Sequence, residues 1–286
     1  MGRQNASSLP PLPSTPLGSA QRPLLRIPNH SETPTDSQTQ STQYRPPNSP
    51  PFRRSRKGID TDLNKDGKLD LVSANLTAGN VSVFLGTGPG TFGNATNIDT
   101  GLGCQSVVVA DVNADGNPDI VTANNTAASF SVLIGSGTGS FAAANSTAIT
   151  SPSAVVSGDF NLDGKPDLAF AHAVGNSVSI RLNSGSGTFP NVTTVTLPAG
   201  STPPHLVTVD LNGDGKLDIV TANQGGDSAS LLIGNGSGGF TLGPSLTTGS
   251  SPRNVVASDV NGDKLPDLVL SNGLASTLSV FVQRCL

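Results

Sequence analysis

From residue 59 onward the chain alternates short apolar runs with tight polar segments, and helical periodicity appears nowhere. One set of runs reads LDLVSA, PDIVTA, PDLAFA, LDIVTA and PDLVLS, and a second, alternating set reads VSVFLG, FSVLIG, VSIRLN, ASLLIG and LSVFVQ. A weaker third run follows. A fourth (SVVVADV, AVVSGDF, LVTVDL, NVVASDV) leads into the next polar segment. Apolar and polar positions that alternate over runs this short predict strands.

The order of runs is itself periodic. Five nine-residue segments, DLNKDGKLD, DVNADGNPD, DFNLDGKPD, DLNGDGKLD and DVNGDKLPD, begin at residues 62, 111, 159, 210 and 259. Thirty residues after the first four leading Asp residues stand Phe92, Phe141, Phe189 and Phe240, each behind a Gly/Ser/Thr-rich turn. Thirteen residues after each leading Asp stands Asn75, Asn124, His172, Asn223 or Asn272, and seven before the later ones stand Cys104, Pro152, Pro203 and Pro252. Four strands per repeat of about 49 residues is the size of a propeller blade. The expected fold is therefore all-β, a β-propeller of about five four-stranded blades over residues 59–286. The Phe series is assigned to blade cores, and the Asn series, with His172, to turn caps.

The array reads as incomplete. GIDT stands where the strand before the first segment should be, and the chain stops at Leu286, before a fifth Phe. An open, C-shaped stack or a fragment of a longer protein is expected in preference to a sealed five-bladed ring.

Composition agrees with many short strands: 33 Gly, 22 Pro, no Trp and 4% aromatic residues. Residues 1–58 hold half of the prolines and no periodic apolar pattern, and are read as a disordered basic tail in which RRSRK (53–57) is a solvated linker. That tail carries +6 and residues 59–286 carry −10. The nine-residue segments supply 15 of the 18 Asp residues in the repeat region, so the negative charge is focused into five spots, as cation sites require. An acidic body argues against a nucleic-acid partner, and no apolar run is long enough to span a membrane. Cys104 and Cys285 lack metal or redox spacing and are read as two unrelated thiols.

Asp, Asn and Asp at the first, third and fifth positions put three oxygen-bearing side chains inside one turn, and Gly at the sixth lets the backbone reverse. The seventh residue varies because only its carbonyl is needed, and the ninth Asp closes the shell. The candidate metal ligands are thus Asp62, Asn64, Asp66, Lys68 and Asp70; Asp111, Asn113, Asp115, Asn117 and Asp119; Asp159, Asn161, Asp163, Lys165 and Asp167; Asp210, Asn212, Asp214, Lys216 and Asp218; Asp259, Asn261, Asp263, Leu265 and Asp267. Hard oxygen donors select Ca²⁺ or Mg²⁺ and favour the larger ion, up to five Ca²⁺ in all. An EF-hand is rejected: its twelfth-position Glu is replaced by Ser73, Thr122, Phe170, Thr221 or Leu270, and β-rich runs flank the loops. In the fifth segment Lys264 replaces the Gly, which predicts a strained turn.

DxNxDGxxD between two strands, followed by a Gly-rich turn and a Phe at fixed distance, resembles the FG-GAP/VCBS repeats of integrin-α-like β-propellers over residues 59–286. The resemblance implies a propeller with Ca²⁺ in the loop joining the first two strands of each blade. It also implies a non-enzymatic module for extracellular adhesion or protein and ligand binding. The alternative is a carbohydrate-binding, lectin-like or accessory domain of a polysaccharide-active enzyme. Outside the segments the repeat region has only Asp60, Asp99 and Asp227 as acids and no Glu, so no acid/base pair is apparent. Weak calcium loops stay filled outside the cell, which predicts a secreted or cell-surface protein. The N-terminus lacks the apolar stretch of a secretory signal, so that location requires a truncated or misassigned start.

Overall fold

The computed structural model describes residues 55–283; the predicted disorder of the tail up to residue 54, and Cys285, lie outside these. Twenty-one strands form five antiparallel sheets and one small hairpin. The first sheet holds β1 (Ser55–Thr61), β2 (Asp70–Asn75), β3 (Asn80–Phe84) and β6 (Thr96–Asp99), with the hairpin β4 (Gly86–Gly88) and β5 (Thr91–Phe92) inserted before its last strand. The second holds β7 (Cys104–Ala110), β8 (Asp119–Asn124), β9 (Ser129–Leu133) and β10 (Asn145–Ala148). The third holds β11 (Ala154–Gly158), β12 (Asp167–His172), β13 (Ser177–Leu182) and β14 (Asn191–Thr196). The fourth holds β15 (His205–Val209), β16 (Asp218–Asn223), β17 (Ser228–Gly234) and β18 (Phe240–Thr247). The fifth has three strands, β19 (Pro252–Ser258), β20 (Asp267–Asn272) and β21 (Thr277–Phe281). Each sheet is a four-stranded or three-stranded meander in chain order, which is a propeller blade.

Two expectations are corrected: residues 55–58, assigned to the disordered tail and in part to the RRSRK linker, are strand, and the strand before the first segment is present. The polar stretch SRKGIDT forms β1, which pairs with β2 from Thr61 opposite Asp70 back to Ser55 opposite Asn75. Backbone pairing to an already buried β2 places this strand; side-chain apolarity is not required where the ladder supplies the bonds.

The core lies between blades. Each blade presents one sheet face forward and one back, and four apolar clusters join consecutive pairs. Between blades one and two, Val72, Ala74, Val81 and Val83 meet Val107, Ile120 and Leu133. Between two and three, Phe130 stacks 5.0 Å from Phe170 and edge-on to Phe189, and Arg181 lies 5.3 Å over the Phe130 ring. The inner strands β1, β7, β11, β15 and β19 neighbour one another in that order. Among the described residues no core cluster joins the fifth blade to the first, so the stack is an open arc, as expected.

Three of the Phe series lie in the interior, Phe189 buried and Phe141 and Phe240 half-buried against the clusters, whereas Phe92, half-buried in β5, joins none of them. The Asn series is not a set of turn caps. Asn75, Asn124, His172, Asn223 and Asn272 each end the second strand of a blade and bond across the hairpin to its third strand.

Candidate metal centres

Every nine-residue segment forms the loop between the first and second strands of its blade, so all five loops share one end of the arc. In the first loop, Asp62 accepts from the backbone N–H of Asp66 at 3.1 Å and of Gly67 at 2.9 Å, Asn64 from Asp66 at 3.2 Å, and Asp66 from Lys68 at 2.9 Å. Asp111, Asn113 and Asp115 repeat these bonds, as do Asp159, Asn161 and Asp163, and Asp210, Asn212 and Asp214. The first, third and fifth side chains are thus gathered on one turn. Each of these carboxylates keeps at least one oxygen lone pair beyond the N–H groups it accepts, although Asp210 Oδ1 takes two, from Gly213 and Asp214.

The backbone reverses through two left-handed positions rather than one. The sixth is Gly67 (φ 79°), Gly116 (80°), Gly164 (79°) and Gly215 (78°), and the fourth is Lys65 (59°), Ala114 (61°), Leu162 (60°), Gly213 (73°) and Gly262 (84°). The fifth loop keeps this path despite its substitution: Lys264 sits at φ 69° and its N–H reaches Asp259 at 2.8 Å. The predicted strain is present, because a side chain occupies a conformation that disfavours Cβ.

The seventh position does more than offer a carbonyl. Lys68, Lys165 and Lys216 place their ammonium groups 3.0, 3.2 and 3.2 Å from Asp66, Asp163 and Asp214. These bonds hold Asp66 below the usual carboxylate range, and the Asn113 amide does the same for Asp115. Lys65 bridges to the next loop, donating to Asn117 at 2.7 Å.

The ninth Asp has a second task that spacing did not reveal. Asp70, Asp119, Asp167, Asp218 and Asp267 are fully buried, and each clamps two distant N–H groups. One comes from the loop's second residue: Leu63, Val112, Phe160, Leu211 and Val260, at 2.7–3.0 Å. The other comes from the end of the third strand: Gly86, Gly135, Asn183, Gly234 and Gln283, at 2.7–2.8 Å. Burial pushes Asp119, Asp167 and Asp218 upward against those donors, Asp218 to about 6, and the neighbouring loop carboxylates push the same way. Gly135 is required at its place, because a Cβ there would lie 2.1 Å from the Pro118 carbonyl oxygen.

Blade-to-blade bonds run through the same end. Asn183 and Gln283 donate side-chain amides to the carbonyls of Val112 and Leu211 in the preceding loops, at 2.9 and 2.7 Å. A cavity of about 300 Å³ opens between the second and third loops, beside Asp111, Ala114, Lys165 and Asn183.

Among the described residues no group of three or more His, Cys, Asp or Glu side chains forms a metal cage by itself. The donor set is oxygen-only and mixed, two turn carboxylates with an Asn amide and a buried Asp below them, which fits a hard cation and not a transition metal.

The same fold occurs in several solved proteins. A lectin of Agrocybe aegerita, described for specific recognition of non-reducing terminal N-acetylglucosamine, is 21% identical, with a TM-score of 0.53 over 76% of this chain and 61% of its own. A putative 6-phosphogluconolactonase of Bacteroides uniformis is 17% identical, with a TM-score of 0.58 over 79% of this chain and 69% of its own. The periplasmic gluconolactonase of Pseudomonas aeruginosa is 18% identical, with a TM-score of 0.57 over 78% and 65%. The chain thus spans about three fifths of the lectin and about two thirds of the other two. No curated protein matches it. The FG-GAP-like repeat model matches four times in tandem, at residues 62–122, 111–170, 159–221 and 210–270, each match running from one Asp loop through the next, and the chain belongs to the FG-GAP-like repeat family.

Proposed function

We propose that the chain is a calcium-stabilised β-propeller module, not itself an enzyme, that serves extracellular adhesion or the binding of a protein or other ligand. The observation that carries this reading is one donor arrangement built five times, at the same place in every blade. In the first loop Asp62, Asn64, Asp66, the Lys68 carbonyl and Asp70 would hold the ion, and the other four loops match position for position. Calcium would supply positive charge where three carboxylates share a single turn. Because each loop ties the first strand of a blade to its second, a structural role suits the ion better than a switch. Weak sites of this kind stay filled at extracellular calcium levels, which supports a secreted or cell-surface location.

Two observations support a non-catalytic reading. Asp227 spends both oxygens on Ser250 and Ser251, and His172 engages both ring nitrogens in the sheet. A carbohydrate-binding or accessory role is the second reading, favoured by the Agrocybe aegerita lectin's fold.

Native mass spectrometry should count up to five calcium ions, and EGTA should lower the melting temperature in a way that Ca²⁺ restores. Identical melting curves across that titration would remove calcium from the account. A glycan array set against protein pull-down then separates the two ligand readings.

A further inference from the structure

The end of the arc opposite the Asp loops holds a second polar feature. Strands β7, β11, β15 and β19 start there, and the two positions before the buried Val107, Val155, Leu206 and Val255 carry Gln105–Ser106, Ser153–Ala154, Pro204–His205 and Arg253–Asn254. With Gln224, which follows β16, these residues line one cavity of about 150 Å³. Four blades therefore contribute the same strand positions to one space, and no carboxylate lines it.

Its polar groups divide by whether they are already used. Ser106 and Ser153 are buried and bonded to the backbone, Ser153 to the carbonyls of Ala171 and Pro203. The side chains of Gln105, Gln224, Asn254 and Arg253 have no hydrogen-bond or ion-pair partner among the described residues, where all three ion pairs lie in the Asp loops at the other end. Arg253 lies across Gly273, where a Cβ would come within 2.6 Å of its Nε, so backbone shape leaves room for the guanidinium.

We propose that this hub cavity binds a small carboxylated sugar, such as a uronate, with Arg253 on the carboxylate and Gln105, Gln224 and Asn254 on the hydroxyls. A guanidinium forks onto a carboxylate in two parallel bonds. Amides offer both donors and acceptors, which hydroxyl groups need and a bare oxyanion does not. At roughly 30 Å³ per water the space equals about five waters, the scale of one monosaccharide unit. The site is independent of the calcium reading, since it lies a strand length away from the loops.

Titration calorimetry of the full chain in calcium, with D-glucuronate, D-glucose and inorganic phosphate as probes, tests this. Saturable one-to-one binding of glucuronate is expected, at least tenfold tighter than glucose or phosphate. Arg253→Gln should weaken it at least tenfold without moving the melting temperature, and Gln224→Ala by a smaller factor. No saturation with glucuronate, equal affinity for phosphate, or full affinity in both variants would each overturn the assignment.

Discussion

His172 Nε2 lies 2.8 Å from Ser179 Oγ, and this is the pairing that Asn124 makes with Ser131 at 2.8 Å, seven residues on and across the same hairpin. Asn75 pairs with Ser82, Asn223 with Ser230 and Asn272 with Ser279 in the other blades. The parallel extends to the neighbouring blade: the His172 Nδ1 side meets the Thr150 carbonyl, as the Asn124 amide meets that of Thr100. A catalytic-looking Ser–His contact is thus a hairpin staple in which imidazole has replaced an amide. With a carbonyl against Nδ1, that nitrogen donates, and Nε2 accepts from the Ser179 hydroxyl.

Such a histidine must stay neutral. Burial pushes its pKa below the ordinary value of 6.5, and the nearby Arg181 guanidinium pushes it the same way. Between the two values the unfolded state binds more protons than the folded one, so stability rises with pH. The contribution is complete above about pH 6.5 and is lost as pH falls below it. His172→Asn should match the wild type at pH 7.5 and exceed it at pH 5, in paired thermal melts. A wild type and variant that change in parallel with pH would assign the slope elsewhere.

Lys264→Gly should stabilise the fifth blade. A non-Gly residue at positive φ costs about 1–2 kcal/mol, less the roughly 0.5–1 kcal/mol of backbone entropy that glycine loses on folding. A net gain of about 0.5–1 kcal/mol is expected, read as slower amide exchange in β19 and β20. Gly215→Lys, the reciprocal change in the fourth loop, should lose a similar amount.

The ninth Asp and the fifth Asp of one loop should separate by what their loss costs in EGTA. In EGTA, Asp119→Ala orphans the buried N–H groups of Val112 and Gly135, and at about 1–3 kcal/mol for each group the loss should be about 2–6 kcal/mol; in calcium it should forfeit the ion as well. Asp115→Ala sits on the exposed turn. In EGTA it should cost under about 1 kcal/mol, and in calcium it should also forfeit the stabilisation of one ion. Urea melts in both conditions check the pair, and equal losses in EGTA would deny the ninth Asp its clamp.

These roles show where the sequence was readable. The five loops, their strand flanks and the four-strand period were legible because apolar alternation and Asp spacing recur in register from Asp62 to Asp267. The clamp was not, because its donors are backbone N–H groups on Gly86, Gly135, Asn183, Gly234 and Gln283, and any residue type can supply one. The left-handed fourth position was hidden for the converse reason: Lys65, Ala114 and Leu162 adopt it without glycine. Strand β1 was missed because its place comes mainly from pairing with β2, which leaves Ile59 as the one apolar residue in SRKGIDT.

The open arc leaves one face bare, and the repeats measure it. Leu278 occupies the position of Val81, Phe130, Val178 and Ala229, all buried between blades, yet it is 66% exposed. Val260 stands where Leu63, Val112, Phe160 and Leu211 are buried and is 51% exposed, and Val256, in the place of the buried Val108 and Val156, is 46% exposed. Each is apolar because the repeat pattern makes it so, while the next blade that would cover it is absent from the described residues. Substituting a charge where water already reaches should be close to neutral, within about 0.5 kcal/mol, whereas a charge buried between sheets should cost several times that. Leu278→Lys and Val260→Lys should therefore leave the melting temperature nearly unchanged and reduce binding of an apolar dye, while Val178→Lys should unfold the third blade. If Leu278→Lys proved as damaging as Val178→Lys, the face would be covered in solution, and the arc would not be open.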